Sequence, residues 1–149
     1  MTASHSTTAS ERRAFAARMR MLPETAAFVE AFCARHGIGR DDTLRFVLIV
    51  EELFTNTVAH GYRQECDAPI RIELTAEGGQ ATLFYEDAAP RHDPLSPRPG
   101  LEADLAAPIE ARPIGRLGVH LVRQLAASAR YAYADGCNRL WLTLPREAP

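Results

Sequence analysis

Cysteine is scarce in this chain. Its three residues, Cys33, Cys66 and Cys137, are odd in number and widely spaced. They form no CxxC pair and no Cys/His cluster with zinc spacing, which argues against a disulfide framework and a structural zinc site. A reducing cytoplasm is the expected setting. No apolar run approaches the roughly 18 residues that a membrane-spanning helix requires. Charge of one sign is also lacking: 17 basic residues stand against 19 acidic ones, a net of −2. That balance gives no basic surface of the kind that neutralises a nucleic-acid backbone. Residues 1–10 hold Ser and Thr but no apolar stretch, so they read as a disordered tail rather than a secretory signal. His36, His92 and His120 have no carboxylate or thiol at metal-ligand or triad spacing, and no serine lies in a nucleophile-elbow context.

What is present is enough for one domain. The 149 residues, 46% hydrophobic and 24% charged, suit a single globular unit with its own core over residues 11–145. Arg12 to Met19 reads as a first strand. Pro23 and Glu24 open a helix that runs to His36, with Ala27, Phe28, Ala31 and Phe32 as its buried stripe and Gly37-Ile38-Gly39 as its stop. Asp41 or Asp42 is expected to cap a long helix reaching His60 and ended by Gly61. Phe46, Val50, Leu53, Phe54 and Thr57 supply its apolar face. Ile70–Ala76 and Gln80–Glu86 alternate as an antiparallel hairpin around Gly78-Gly79.

From Ala88 to Pro113 six prolines exclude long regular structure. A loop of that length in a compact domain is usually functional or disordered. A helix over about 118–128 follows, then strands at Arg130–Ala134 and Arg139–Leu144 joined by Asp135-Gly136. Helices segregated from strands predict an α+β fold, a two-layer α/β sandwich with a mixed, mostly antiparallel sheet against one layer of helices.

Three segments carry possible chemistry. On the long helix, at about 100° per residue, Glu52, Asn56 and His60 share a stripe beside the apolar face. Asn offers Mg²⁺ a neutral oxygen, and a neighbouring carboxylate can take a proton. The same residues equally describe a solvated helix edge. Asp87 closes a strand, where a carboxylate can accept a hydrogen bond from an exocyclic amine or simply form a turn. Gly115 and Gly118 precede an apolar helix, whose N-terminal N–H groups favour phosphate oxygens. Arg112 and Arg116 flank them as phosphate partners or as surface charge.

Taken together and in order, the strings VEELFTNTVAHGY, EDAAPRHDPLSP, RPIGRLGVHLVRQL and DGCNRLWLTLP resemble the N-box, the two glycine boxes and the last strand of the histidine-kinase-like ATPase (Bergerat) fold. The resemblance covers about Phe15 to Leu144. It is strongest to the compact bacterial branch, the anti-sigma-factor serine/threonine kinases of partner-switching systems. It implies ATP and Mg²⁺ as cofactors. Asn56 would be the metal ligand, Glu52 the general base and Asp87 the reader of the adenine amine. His60, Ala89, Arg112, Gly115, Arg116 and Gly118 would line the nucleotide site, with Ala88–Pro113 as its lid. It further implies an anti-sigma-factor antagonist as substrate, a sigma factor as a second partner, and a homodimer joined through the N-terminal strand and helix. The sequence departs from the family where Asp-x-Gly becomes Asp87-Ala88-Ala89, since alanine lacks glycine's freedom at positive φ. It also departs near Asn138, where relatives often carry Thr beside the adenine. A non-catalytic sequestering module of the same fold is the alternative reading.

Overall fold

The computed structural model describes residues 8–78, 80–94, 126 and 128–145. Strand β1 (Ala9–Ala16) leads through a short 3₁₀ turn (Met19–Met21) into helix α1 (Leu22–Arg35) and helix α2 (Arg40–Asn56). Helix α2 does not stop there. It widens into a π-helical segment, Thr57–Tyr62. Strands β2 (Pro69–Glu77), β3 (Gln80–Asp87), β4 (Ser128–Ala134) and β5 (Cys137–Pro145) complete the described elements. The sheet order is β1-β2-β3-β5-β4, and all of its described pairings are antiparallel. This is the expected α+β sandwich.

The core fills the space between one face of the sheet and the two helices. Phe15, Ile70, Ile72, Leu74, Leu83, Leu140 and Leu142 face Val29, Phe32, Phe46, Ile49, Val50, Leu53 and Phe54, all buried. Each such side chain contributes about 1.5–3 kcal/mol on leaving water. Strict alternation in β2 and β3 sends Ile, Leu and Tyr inward, and Arg71, Glu73, Thr75, Thr82, Phe84 and Glu86 toward the opposite face. There Phe84 and Trp141 pair at a centroid distance of 5.3 Å, and the Arg130 guanidinium lies 4.1 Å over the indole.

Several local expectations need correction. β1 opens at Ala9 and ends at Ala16, so Ser10, assigned to the tail, is a paired strand residue whose Oγ donates to Glu73 at 2.9 Å. The buried stripe of α1 is Thr25, Val29, Phe32 and Cys33, with Ala27 exposed. Neither Asp41 nor Asp42 caps α2: the N-cap is Gly39, without a side-chain bond, and Asp42 is buried in an ion pair with Arg45 at 3.0 Å. Gly61 does not end the helix. The π segment passes it and stops at Arg63, whose φ is 61°.

Other stop signals act as expected. At the end of α1, Gly37 takes a φ of 67°, and the Ile38 N–H donates to the Cys33 carbonyl at 2.9 Å. That is the six-to-one bond of a Schellman cap. Between β4 and β5, Asp135 and Gly136 both have positive φ, 54° and 74°, as a two-residue hairpin turn requires. Part of the Gly78-Gly79 turn, most of the helix expected over 118–128 and the lid beyond Pro94 lie outside the described residues; the last residue of that expected helix, Ser128, instead opens β4.

Candidate nucleotide site

The site forms where the C-terminal end of α2 meets the ends of β3 and β5. Asn56 is the last α-helical residue before the π segment. It sits beside Leu53 and Phe54, which pull the helix onto the sheet, and is only 2% exposed. Among the described residues, both polar atoms of its side chain, Oδ1 and Nδ2, lack a hydrogen-bond partner. A buried amide left unpaired at both ends costs about 1–3 kcal/mol per group. Such groups are rare and call for an explanation. One turn earlier, Glu52 is half-buried, and burial raises its carboxyl above the usual range, with the charge of Glu51 adding to the effect. A raised carboxylate next to a bare amide is suited to take a proton from a substrate.

Asp87 ends β3 and is 3% exposed. Its Oδ2 accepts from Thr57 Oγ1 at 2.8 Å. Its Oδ1 accepts from the Ala89 N–H at 3.1 Å and from Asn138 Nδ2 at 2.9 Å. Thr57 Oγ1 is 2.6 Å from the Tyr85 hydroxyl, which also reaches the Leu53 carbonyl at 3.0 Å. Protons are accounted for if Tyr85 donates to Leu53 or Thr57, and Thr57 donates to the carboxylate. Burial, then the charge of Asp87, pushes the Tyr85 phenol well above its ordinary range, so it stays a neutral donor. The carboxylate thus joins α2 to the sheet through hydroxyls rather than through a cation.

Beyond Asp87 the chain turns sharply over Ala88–His92. The Ala88 N–H donates to the Tyr62 hydroxyl at 3.0 Å, and the His92 N–H to Asn138 Oδ1 at 3.0 Å. Ala89 is buried. Among the described residues, positive φ outside glycine occurs only at Arg63 and Asp135, so Ala88 and Ala89 stand in backbone conformations open to alanine. The concern raised by the missing glycine does not apply to this turn. Its methyl instead shapes the neighbouring helix. A Cβ built on Gly61 would lie 3.0 Å from Ala89 Cβ and 3.1 Å from His92 Cε1, so the π segment reaches the turn because residue 61 has no side chain.

The structure therefore brings Glu52, Asn56, Asp87 and Ala89 to one end of the sandwich. His60 lies in the π segment and is exposed. Arg112, Gly115, Arg116 and Gly118 lie outside the described residues. Thr57, Tyr62 and Tyr85 belong to the site but were not singled out in the sequence. Thr57 was hidden as a core-stripe position, while the inward phase of β3 could have flagged Tyr85. Asn138 was noted only as a replacement, yet it faces Asp87 directly across the β3–β5 pair. Among the described residues no group of three or more His, Cys, Asp or Glu gathers as a metal cage. The bare Asn56 amide suits a metal whose remaining ligands come with a nucleotide.

The sequence profile of the histidine kinase-like ATPase domain matches residues 15–144. No curated protein matches the chain. Among solved structures, one described as the RsbU and RsbW domains of Rv1364c from Mycobacterium tuberculosis aligns with a TM-score of 0.67 at 17% identity, over 95% of this chain and 33% of that one. The chain thus spans about a third of that relative. The Acinetobacter baumannii histidine kinase AdeS aligns with a TM-score of 0.48 at 15% identity, over 93% of this chain and 68% of that one.

Proposed function

Because this chain belongs to the histidine kinase-like ATPase family, we propose that it binds ATP with Mg²⁺ and serves as an anti-sigma regulatory factor. In that role it phosphorylates a serine or threonine on an anti-sigma-factor antagonist protein. The observation that carries the reading is Asn56, buried with neither end of its amide bonded, one turn from a carboxylate of raised pKa. Family membership implies ATP binding. The fold shared with a chain that contains an RsbW domain is in keeping with the finer role.

Each residue then has a task. Asn56 would hold the metal, which when bound offsets the charge of the phosphates. Asp87 accepts from the adenine amine. Gly115 and Gly118 approach the phosphates, Arg112 and Arg116 pair with them, and His60 borders them. Glu52 takes the proton of the attacking hydroxyl. The hydroxyl oxygen bonds to the γ-phosphorus as the bond to the departing ADP oxygen breaks. The sigma factor and a second copy of the chain complete the set of partners.

A second reading has one observation in its favour. Ala89 fills space against Gly61 beside the base-reading Asp87, which would suit a sequestering module with weak use of ATP. Calorimetric titration with ATP, with and without Mg²⁺, decides between them. Metal-dependent binding that Asn56→Ala abolishes supports the kinase. No binding at millimolar ATP refutes it and leaves the module. Phosphorylation of an antagonist that Glu52→Gln does not slow would refute the role of Glu52.

A further inference from the structure

The hydrogen-bond capacity of two facing side chains is unequally used. Asn138, 5% exposed on β5, spends all of its amide inside the protein. Nδ2 donates to Asp87 Oδ1 at 2.9 Å and to the Ala89 carbonyl at 3.0 Å, with Pro90 O at 3.3 Å sharing the second donor. Oδ1 accepts from the His92 N–H at 3.0 Å and from the Tyr131 hydroxyl. An amide has two donors and two acceptor sites, so nothing remains for a ligand. The orientation is fixed by the network, because a flipped amide would turn its oxygen toward a carboxylate and two carbonyls.

Asp87 is not saturated. A carboxylate offers about four lone-pair sites. Two on Oδ1 are taken by Ala89 N–H and Asn138, and one on Oδ2 by Thr57. Among the described residues one site is open, and it lies on Oδ2. Adenine presents an exocyclic amine donor, which one acceptor satisfies. Guanine presents two adjacent donors, N1–H and N2–H, that fit a carboxylate only when both oxygens are open. Resting on the nucleotide-site reading above, we propose that Asn138 is the base-specificity determinant. By filling Asp87 Oδ1 it leaves a carboxylate that reads the single amine of adenine and cannot take the paired donors of guanine. It is a positioning residue that touches no base.

The test is titration of the full chain with Mg-ATP and Mg-GTP, comparing wild type with Asn138→Ala. If alanine does not fold there, Asn138→Val, a strand former without a donor, replaces it. The wild type should prefer ATP. The variant should move the ATP:GTP ratio of dissociation constants toward GTP by about tenfold or more, the scale of one matched or unmatched polar contact. Asn56→Ala should weaken both nucleotides and leave the ratio alone. A variant with the wild-type ratio overturns the proposal. Equal weakening toward both nucleotides overturns it too, since loosening of the Ala88–His92 turn accounts for that. A wild type that binds neither nucleotide refutes the nucleotide-site reading itself, and the proposal with it.

Discussion

Replacing Asn56 by leucine should stabilise the nucleotide-free protein while abolishing its nucleotide binding. The side chains are similar in shape, so Asn56→Leu leaves no cavity. It removes two buried polar atoms that find no partner among the described residues, each costing about 1–3 kcal/mol while unpaired. Leucine is also the better residue inside a helix. Strain at the new methyl groups takes back part of the gain, so a net of about 2 kcal/mol is reasonable. For a domain of this size that raises Tm by about 4–8 °C. The assay is a pair of thermal melts, with and without Mg-ATP. At a hundred times Kd the wild type gains about 2.7 kcal/mol from the ligand, and the variant gains none. The order of stability therefore reverses on adding nucleotide. A leucine variant that melts at or below the wild type without ligand would show that the amide is already satisfied, and would remove the main support for the site.

Three further outcomes are expected. Gly61→Ala should cost about 1–3 kcal/mol through overpacking against Ala89 and His92. Ala89→Gly should recover part of it, measured as coupling in a double-mutant cycle by urea denaturation; strictly additive effects would contradict the contact. Thr57→Val, which keeps the shape but removes the donor to Asp87 Oδ2, should cost about 1.5–3 kcal/mol by chemical denaturation. Glu52 must be ionised to accept a proton, and its pKa is raised. Phosphoryl transfer should therefore fall, as pH drops, through a value above the ordinary glutamate range near ~4.3. Stability carries the opposite sign. The folded state holds that proton more tightly than the unfolded one, so this group's contribution is complete at low pH and is lost as pH rises through the raised pKa. Glu52→Gln should then abolish transfer without lowering the neutral-pH melting point; a lower one would contradict the assignment.

How much of this could be read in advance depended on whether a signal was local. The apolar stripe of α2 was legible because its residues recur at helical spacing, and all five expected positions are buried. The β2–β3 hairpin was legible because Ile70, Ile72 and Leu74 alternate with charge. β1 was misplaced because it is a polar edge strand in which Phe15 is the one buried residue; its pairing comes from β2. The stripe of α1 was rotated because apolar residues surround that helix, and only packing against α2 and the sheet selects Thr25, Val29, Phe32 and Cys33. The π segment has no pattern of its own. It lies where Gly61 packs against Ala89, a contact between distant parts of the chain. Within the site, Asn56 and Asp87 stood out by type and position, whereas the role of Asn138 needed the register of β3 against β5.

That register has a consequence for how the molecule is made. β5 follows β4 in the chain but lies between β3 and β4. As the polypeptide leaves the ribosome, β1, β2 and β3 can pair while the far side of β3 remains an unpaired edge, open to another chain. Asp87 is on that edge and meets Asn138 only when β5 inserts. The Asp87–Asn138 pair is therefore among the last features assembled, and a nascent chain that stalls before Cys137 has α1, α2 and three of the five strands paired, with the proposed base-reading carboxylate still lacking its partner.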